Sequence, residues 1–454
     1  MRIKSLVALA AATVACCAYP AASIAKPSKE LKNAIAHGAS YIASQVQPDG
    51  SFGEEFGGEW ALSALAAAKV APVTVKPGTT DARTFYRELI GDPATWPGGS
   101  KPVTAYENAA LAAYAAGIDP ARVSAEQNLI AQIVARYQTG APGYYGSATN
   151  FNGTAFALLA LAETRTKSGK QRVPQALLNK TVAIVRGNQH TDGGWAFTRA
   201  EGSKEELEAP SEAEFTGAAM ASLCSAGVSS SDPAITKAVS YLETDLAAET
   251  SNSGAFATEF GPNTDTNAWA VRGLNACGIS ATGASFTTPT GNTPVSFLLS
   301  QQLSNGGFGF EGEANLYSTQ DAVSALAGAG FTVAPASAKG APKWVAETSF
   351  SSSPSVKSEL ALVIDNGSSL GVCAVTIAPA AAKTTLAAVL TAAETAATPA
   401  GCVTSFAPTS GKGAITQVNG VSGAWQYSID DGKLKTAKPT SSVGVGDTIY
   451  LKLT

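Results

Sequence analysis

The stretch Gln189-His190-Thr191-Asp192-Gly193-Gly194-Trp195 decides how this chain is read, because it returns as Gln302-Leu303-Ser304-Asn305-Gly306-Gly307-Phe308. A looser copy stands at Gln45 with Asp49-Gly50-Ser51-Phe52, and worn ones at Gln138 with Gly143-Tyr144 and at Gly254-Ala255-Phe256. Gly gives such a turn access to positive φ, and the aromatic side chain packs against the next unit. A small-residue helical segment recurs through the same region: Trp60-Ala-Leu-Ser-Ala-Leu65, Ala110-Leu-Ala-Ala-Tyr114, Phe156-Ala-Leu-Leu-Ala-Leu161, Ala219-Met-Ala-Ser-Leu223, Ala270-Val-Arg-Gly-Leu274 and Ala322-Val-Ser-Ala-Leu326. Aligned on their last residues, the copies are spaced by 49, 47, 62, 51 and 52 residues. A fixed period in this range marks stacked supersecondary units.

Each unit reads as outer helix, Gly-aromatic loop, inner helix; the copy around Phe85 to Trp96 lacks the turn. An inner helix surrounded by others must be apolar all round and narrow, which accounts for its Ala and Gly. The expectation is a mainly α chain, an (α/α)6 toroid of six helical hairpins over residues 26–331. An open solenoid would need polar end caps, and none is evident. Residues 332–357 read as a linker. Residues 358–454 read as a small α+β domain, with strands near 360–364, 373–377, 414–418, 425–429 and 448–453 and a helix near 385–397.

The N-terminus pairs Arg2 and Lys4 with an apolar run from Leu6 to about Ala22, and Ser23-Ile24-Ala25 then offers a cleavage site. This predicts a signal peptide over 1–25 and a protein that is secreted or held in the cell envelope. Four Cys remain beyond it, Cys224, Cys277, Cys373 and Cys402, with no CxxC pair, so disulfides are expected rather than metal ligation. Three pairings are possible; the division into regions favours Cys224–Cys277 and Cys373–Cys402. The 454 residues are 45% hydrophobic and 15% charged with net charge −4, so nothing supplies the basic surface of a nucleic-acid binder. With only two His, His37 and His190, imidazole catalysis and His-rich metal sites are nearly excluded. Neither a GxxxxGK[ST] phosphate loop nor a Gly-x-Ser-x-Gly elbow occurs.

The inner helices should all run one way, so polar residues at their starts would gather at one mouth. They are Glu59, Glu107 with Asn108, Asn150 and Asn152, Glu214, Asp265 with Asn267, and Gln320 with Asp321. Helix capping accounts for such residues about as well as ligand binding does.

The turns and hairpins resemble the squalene-cyclase and prenyltransferase repeat, over roughly residues 30–332, which implies an α/α toroid. The Asp-x-Asp-Asp acid of the cyclases of that fold has only Asp265-Thr266-Asn267 as its nearest counterpart, without paired carboxylates. The two His are not placed for a zinc set, so an isoprenoid enzyme is disfavoured.

Two further segments, Asn315-Leu-Tyr-Ser-Thr-Gln-Asp-Ala322 and Ile415-Thr-Gln-Val-Asn-Gly420 with Trp425-Gln-Tyr427 and Gly446-Asp-Thr-Ile-Tyr-Leu451, are similar to transcobalamin and intrinsic factor. That resemblance implies a non-catalytic protein that clamps cobalamin between its domains. The ligand would meet Glu59, Asn108, Asn152, Glu214, Asn267, Tyr317, Ser318, Thr319 and Gln320 on one side and Trp425 and Tyr427 on the other. No cofactor is needed for catalysis on this reading. The alternatives are a carbohydrate-active lyase or hydrolase using carboxylates among Glu59, Glu107, Glu214 and Asp321, and a repeat protein that binds a cell-surface partner.

Overall fold

The computed structural model describes residues 28–53, 58–92, 102–139, 143–198, 210–258, 261–310, 312–347, 357–378, 382–444 and 446–454. The expected signal peptide lies outside the described residues, as do 348–356 of the expected linker.

A mostly helical N-terminal region is followed by a β-rich C-terminal one. Six helices are nearly buried throughout: α2 (Glu59–Ala67), α4 (Val103–Ala116), α6 (Asn152–Glu163), α8 (Ala213–Ser225), α10 (Thr264–Ala276) and α12 (Leu316–Leu326). Each packs on the next, and α12 packs back on α2, which closes the ring. Outside them lie α1 (Lys29–Ser44), α3 (Ala82–Gly91), α5 (Leu129–Val134), α7 (Gln175–Gly187), α9 (Pro233–Ala248) and α11 (Pro294–Ser300). All but α5 bury one face only, which suits a single apolar stripe; α5 is buried nearly all round, between the ring and the C-terminal sheet. The approach is closest between α8 and α10, where Gly217 and Gly273 face each other with no room for a Cβ on either. Cys224 and Cys277 bridge the far ends of the same two helices.

The Gly-aromatic turns tie neighbouring hairpins together. Gln189 donates its side-chain N–H to its own turn at the Gly193 carbonyl and to the Ala234 carbonyl of the next outer helix, both at 2.8 Å. Gln302 repeats this with Gly306 and Ala34, both at 2.9 Å, and so joins the last hairpin to the first. Gly193 and Gly306 sit at φ +99° and +87°, where a β-carbon would be strained and would press on the neighbouring outer helix. The aromatic backbone N–H is then taken by an inner-helix threonine: Trp195 by Thr216, Phe308 by Thr319 and, in the worn copy, Tyr145 by Thr154.

Residues 332–347, expected as linker, are held against the ring. Val345 exchanges backbone bonds with Gly117 and Asp119, and Trp344 packs edge-on to Tyr114. In the C-terminal region one mixed sheet runs in the order 435–436, 425–429, 448–453, 358–365, 370–377, 397–398. The strands Thr448–Leu453 and Ser358–Asp365 are parallel and the other pairs antiparallel. One face packs on α13 (Leu386–Ala396), and Cys373–Cys402 closes that side. The opposite face, with Ala361, Val363, Val372, Ala374 and Tyr450, joins the core of the ring beside α5. Gln132 of α5 donates to Glu359 at 2.7 Å, and Arg122 pairs with Asp447 at 3.4 Å.

Candidate functional site

The first turns of α8, α10 and α12 border an open cavity of about 490 Å³, lined by Glu214, Phe215, Asp265, Thr266, Trp269, Asn315, Tyr317 and Asp321. Helical spacing puts Asp265, Trp269 and Arg272 on one face of α10, and Tyr317 and Asp321 on one face of α12. The outer rim is therefore Asp265 and Tyr317; one turn further along stand Trp269 and Asp321. Trp269 is also part of an aromatic plug with Trp60, Phe156 and Phe331, whose ring centroids lie 5.1–6.5 Å apart in edge-on pairs.

Arg272 is fully buried, over the rings of Phe331 at 4.1 Å and Trp60 at 5.0 Å. Its guanidinium donates to Asp321 Oδ1 at 2.6 Å, and Trp269 Nε1 donates to Asp321 Oδ2 at 3.0 Å. Burial pushes the Asp321 carboxyl upward against the pull of Arg272. Asp265 is pushed up to about 6, first by burial and then by the negative Asp321, with a Ser318 hydrogen bond opposing. Its Oδ2 accepts from Ser318 Oγ at 3.2 Å, while its Oδ1 is buried and has no partner.

Of the residues expected from the sequence, Glu214 and Tyr317 line this cavity and Ser318 supports it through Asp265. Thr319 holds the Phe308 N–H, and Gln320 is buried beside it. Asn267 donates to the Pro294 carbonyl at 2.8 Å and so fastens α10 to α11. Glu59, Asn108 and Asn152 are half-buried in inner-helix first or second turns, outside the cavity lining. Glu107 is wholly buried, both its oxygens lack hydrogen-bond partners, and burial pushes its carboxyl well up against the pull of Arg136.

Trp425 and Tyr427 lie in the core of the C-terminal region with Leu386 and Val389, and the Trp425 indole N–H donates to the Val421 carbonyl. That sheet packs on the flank of the ring at α5, and none of its described residues lines the cavity. The structure therefore does not bring Trp425 and Tyr427 to the mouth as the two-sided clamp requires.

Phe215, Trp269 and Arg272 were not among the residues expected from sequence, whereas Asp265 was expected at the mouth as one of the polar helix starts. Arg272 did carry a signal: a guanidinium inside the apolar run Ala270-Val-Arg-Gly-Leu274 requires a buried carboxylate opposite it. No group of three or more potential metal ligands occurs among the described residues.

No family model matches the chain, and no curated protein does. Among solved structures it is similar to the apo form of the type II terpene cyclase MstE from Scytonema, at 15% identity and a TM-score of 0.44, over 66% of this chain and 97% of that one. At that identity the likeness is to a helical architecture and assigns no activity.

Proposed function

We propose that the protein is an exported binder of a small amphipathic molecule, seated in the mouth of the ring. The observation that carries this is the open cavity of about 490 Å³, whose lining combines the aromatic rings of Phe215, Trp269 and Tyr317 with the carboxyls of Glu214, Asp265 and Asp321. Its size and mixed lining are those of small-molecule sites, which span about 300–1,000 Å³. Export is supported by the N-terminal sequence and by two disulfides. Among the described residues no helix is long and apolar enough to cross a membrane.

A corrinoid, the ligand implied by the resemblance to transcobalamin, would enter this mouth from one side and by an edge, against Tyr317 and Phe215. Titrating the purified chain with cyanocobalamin and with a panel of smaller amphiphiles, followed by visible spectrum and melting temperature, tests both levels. A saturable shift that Trp269→Leu weakens supports the site. A spectral change with cyanocobalamin alone names the ligand as a corrinoid. No shift with any compound at micromolar to millimolar concentration overturns the binding reading.

One observation favours a second reading. A carboxyl held at about 6, as Asp265 is, can donate a proton near neutrality, which suits a carbohydrate-active lyase or hydrolase. Cleavage of a polysaccharide panel that is lost in Asp265→Asn would establish that reading over binding.

A further inference from the structure

The geometry points to a protonated organic amine with an apolar body as the ligand class of this mouth, its ammonium paired with the Asp265 carboxylate and its body lying against Phe215, Trp269 and Tyr317. The inference rests on the mouth being the ligand site.

Asp265 is the decisive residue. Its side chain lines the cavity, and among the described residues nothing donates to its buried Oδ1. A buried carboxylate oxygen in that condition costs stability until a donor arrives. The groups facing Asp265 come from every helix around it: Glu214 on α8, Arg272 on its own helix, and Tyr317 and Asp321 on α12. Helix α11 and the adjoining strand Phe308–Phe310 carry no titratable residue. Arg272 is committed to Asp321 at 2.6 Å, and among the described residues no Lys or Arg lines the cavity. Among the described residues Asp265 thus meets no counter-charge in the cavity wall. A carboxylate or phosphate ligand would be repelled there, and a neutral one would leave the Asp265 charge uncompensated.

The walls fit the same ligand. Aromatic faces attract a cation and also cover an apolar body. Tyr317 is 51% exposed and Phe197 38%, the two large hydrophobic side chains left exposed among the described residues. Both stand at this rim, Phe197 through its contact with Phe215 at 5.4 Å. Since burial and Asp321 hold Asp265 at about 6, an amine binding at lower pH must first displace its proton.

Calorimetric titration of the full chain with ω-phenylalkylamines of graded length, and with the alcohols of the same length, tests this. At pH 7.5 the amine should bind about tenfold more tightly than its alcohol. Its affinity should fall by about tenfold per pH unit below about pH 6, while the alcohol's stays level. Asp265→Asn should abolish both the preference and the slope. Asp265 takes only the Ser318 bond, so this variant should melt no lower than the parent, which separates loss of charge from loss of fold. Equal affinity for amine and alcohol, or a preference that survives Asp265→Asn, overturns the amine inference and leaves the mouth as a ligand site. Binding of neither series also overturns it, and the wider reading then falls only if the amphiphile panel fails as well.

Discussion

Replacing Asp321 by Asn is the sharpest test of how the centre of the ring is held. The side chain keeps its size, and its carbonyl can still accept from Trp269 Nε1, now 3.0 Å away. What disappears is the negative charge 2.6 Å from Arg272, whose side chain has no exposed surface. Arg272 retains one further bond, a long one of 3.3 Å to the Gly330 carbonyl, and its Nη2 already lacks a partner. The rings of Phe331 and Trp60 lie against the guanidinium but cannot replace a counter-ion. A guanidinium does not shed its proton, so the variant must bury an uncompensated charge, at a cost of about 3–5 kcal/mol. For a unit of this size that is a drop of roughly 6–12 °C in melting temperature.

Arg272→Met should behave differently, because a carboxyl can neutralise itself. Burial already pushes Asp321 upward, and without Arg272 the carboxyl is raised further. A raised acid gives stability that is complete below its unfolded pKa and is lost as pH rises through its folded one. The Arg272→Met variant should therefore approach the parent at pH 4.5 and fall behind it at pH 7.5, whereas Asp321→Asn should be impaired at both. The double variant leaves no buried charge and should recover about 2 kcal/mol relative to Asp321→Asn. Calorimetric melting of the four proteins at the two pH values completes the cycle. An Asp321→Asn loss below about 1 kcal/mol, or a double variant no more stable than Asp321→Asn, would refute the reasoning.

Two further outcomes follow from the packing and the charges. Gly217→Ala should destabilise by about 3 kcal/mol or more, since the added Cβ would stand 2.8 Å from Ala270 Cα with backbone on both sides; a chemical denaturation midpoint equal to the parent's would show that α8 and α10 can separate. Asp245, Asp265 and Asp430 are all pushed up to about 6, chiefly by burial, so their stability is present below about pH 4 and lost as pH rises past 6. After solvent screening each is worth about 1 kcal/mol, and the melting temperature should be higher at pH 5 than at pH 7.5; a level or rising profile over that interval would contradict the assignment.

The helical region was legible because the same constraint is written several times. Every Gln-to-Gly-Gly-aromatic turn must reverse the chain, bury an aromatic ring and meet the next outer helix, so the pattern survives wear in single copies. The strands Trp425–Ile429 and Thr448–Leu453 fall where their alternation and flanking turns put them. The run Ala414–Val418 is less regular, with only Gln417–Val418 paired, because Ile415 is drawn off to the Ala437 carbonyl. The site was harder to see. A ring of polar helix starts suggests six equal contributions, but Trp60, Phe156, Trp269 and Phe331 meet on the axis and close it. Trp60, Phe156 and Trp269 hold the same place in the repeat, five residues before Leu65, Leu161 and Leu274, but Phe331 lies outside it and nothing in the spacing shows that the rings meet. Among the described residues the cavity is bordered by hairpins four to six.

The segment Tyr317-Ser-Thr-Gln320 shows why a short resemblance can point to a site without assigning roles within it. Thr319 repeats the duty of Thr154 and Thr216, taking the N–H of a turn aromatic, so its hydroxyl belongs to the frame. Ser318 donates to Asp265 and orients a cavity carboxylate without lining the cavity itself. Tyr317 alone of the four lines the cavity. The frame is built at the outer turns by devices that recur, which leaves the inner-helix first turns to differ from hairpin to hairpin. Divergence there costs the ring little, since the Gln and Thr bonds that close it do not pass through Asp265 or Tyr317. Ligand chemistry in such a ring is therefore to be sought where the repeat is broken, and Arg272, which stands where the other copies have Ser63, Ala112, Leu159, Ala221 and Ser324, marks that place on the face of α10 that carries Asp265 and Trp269.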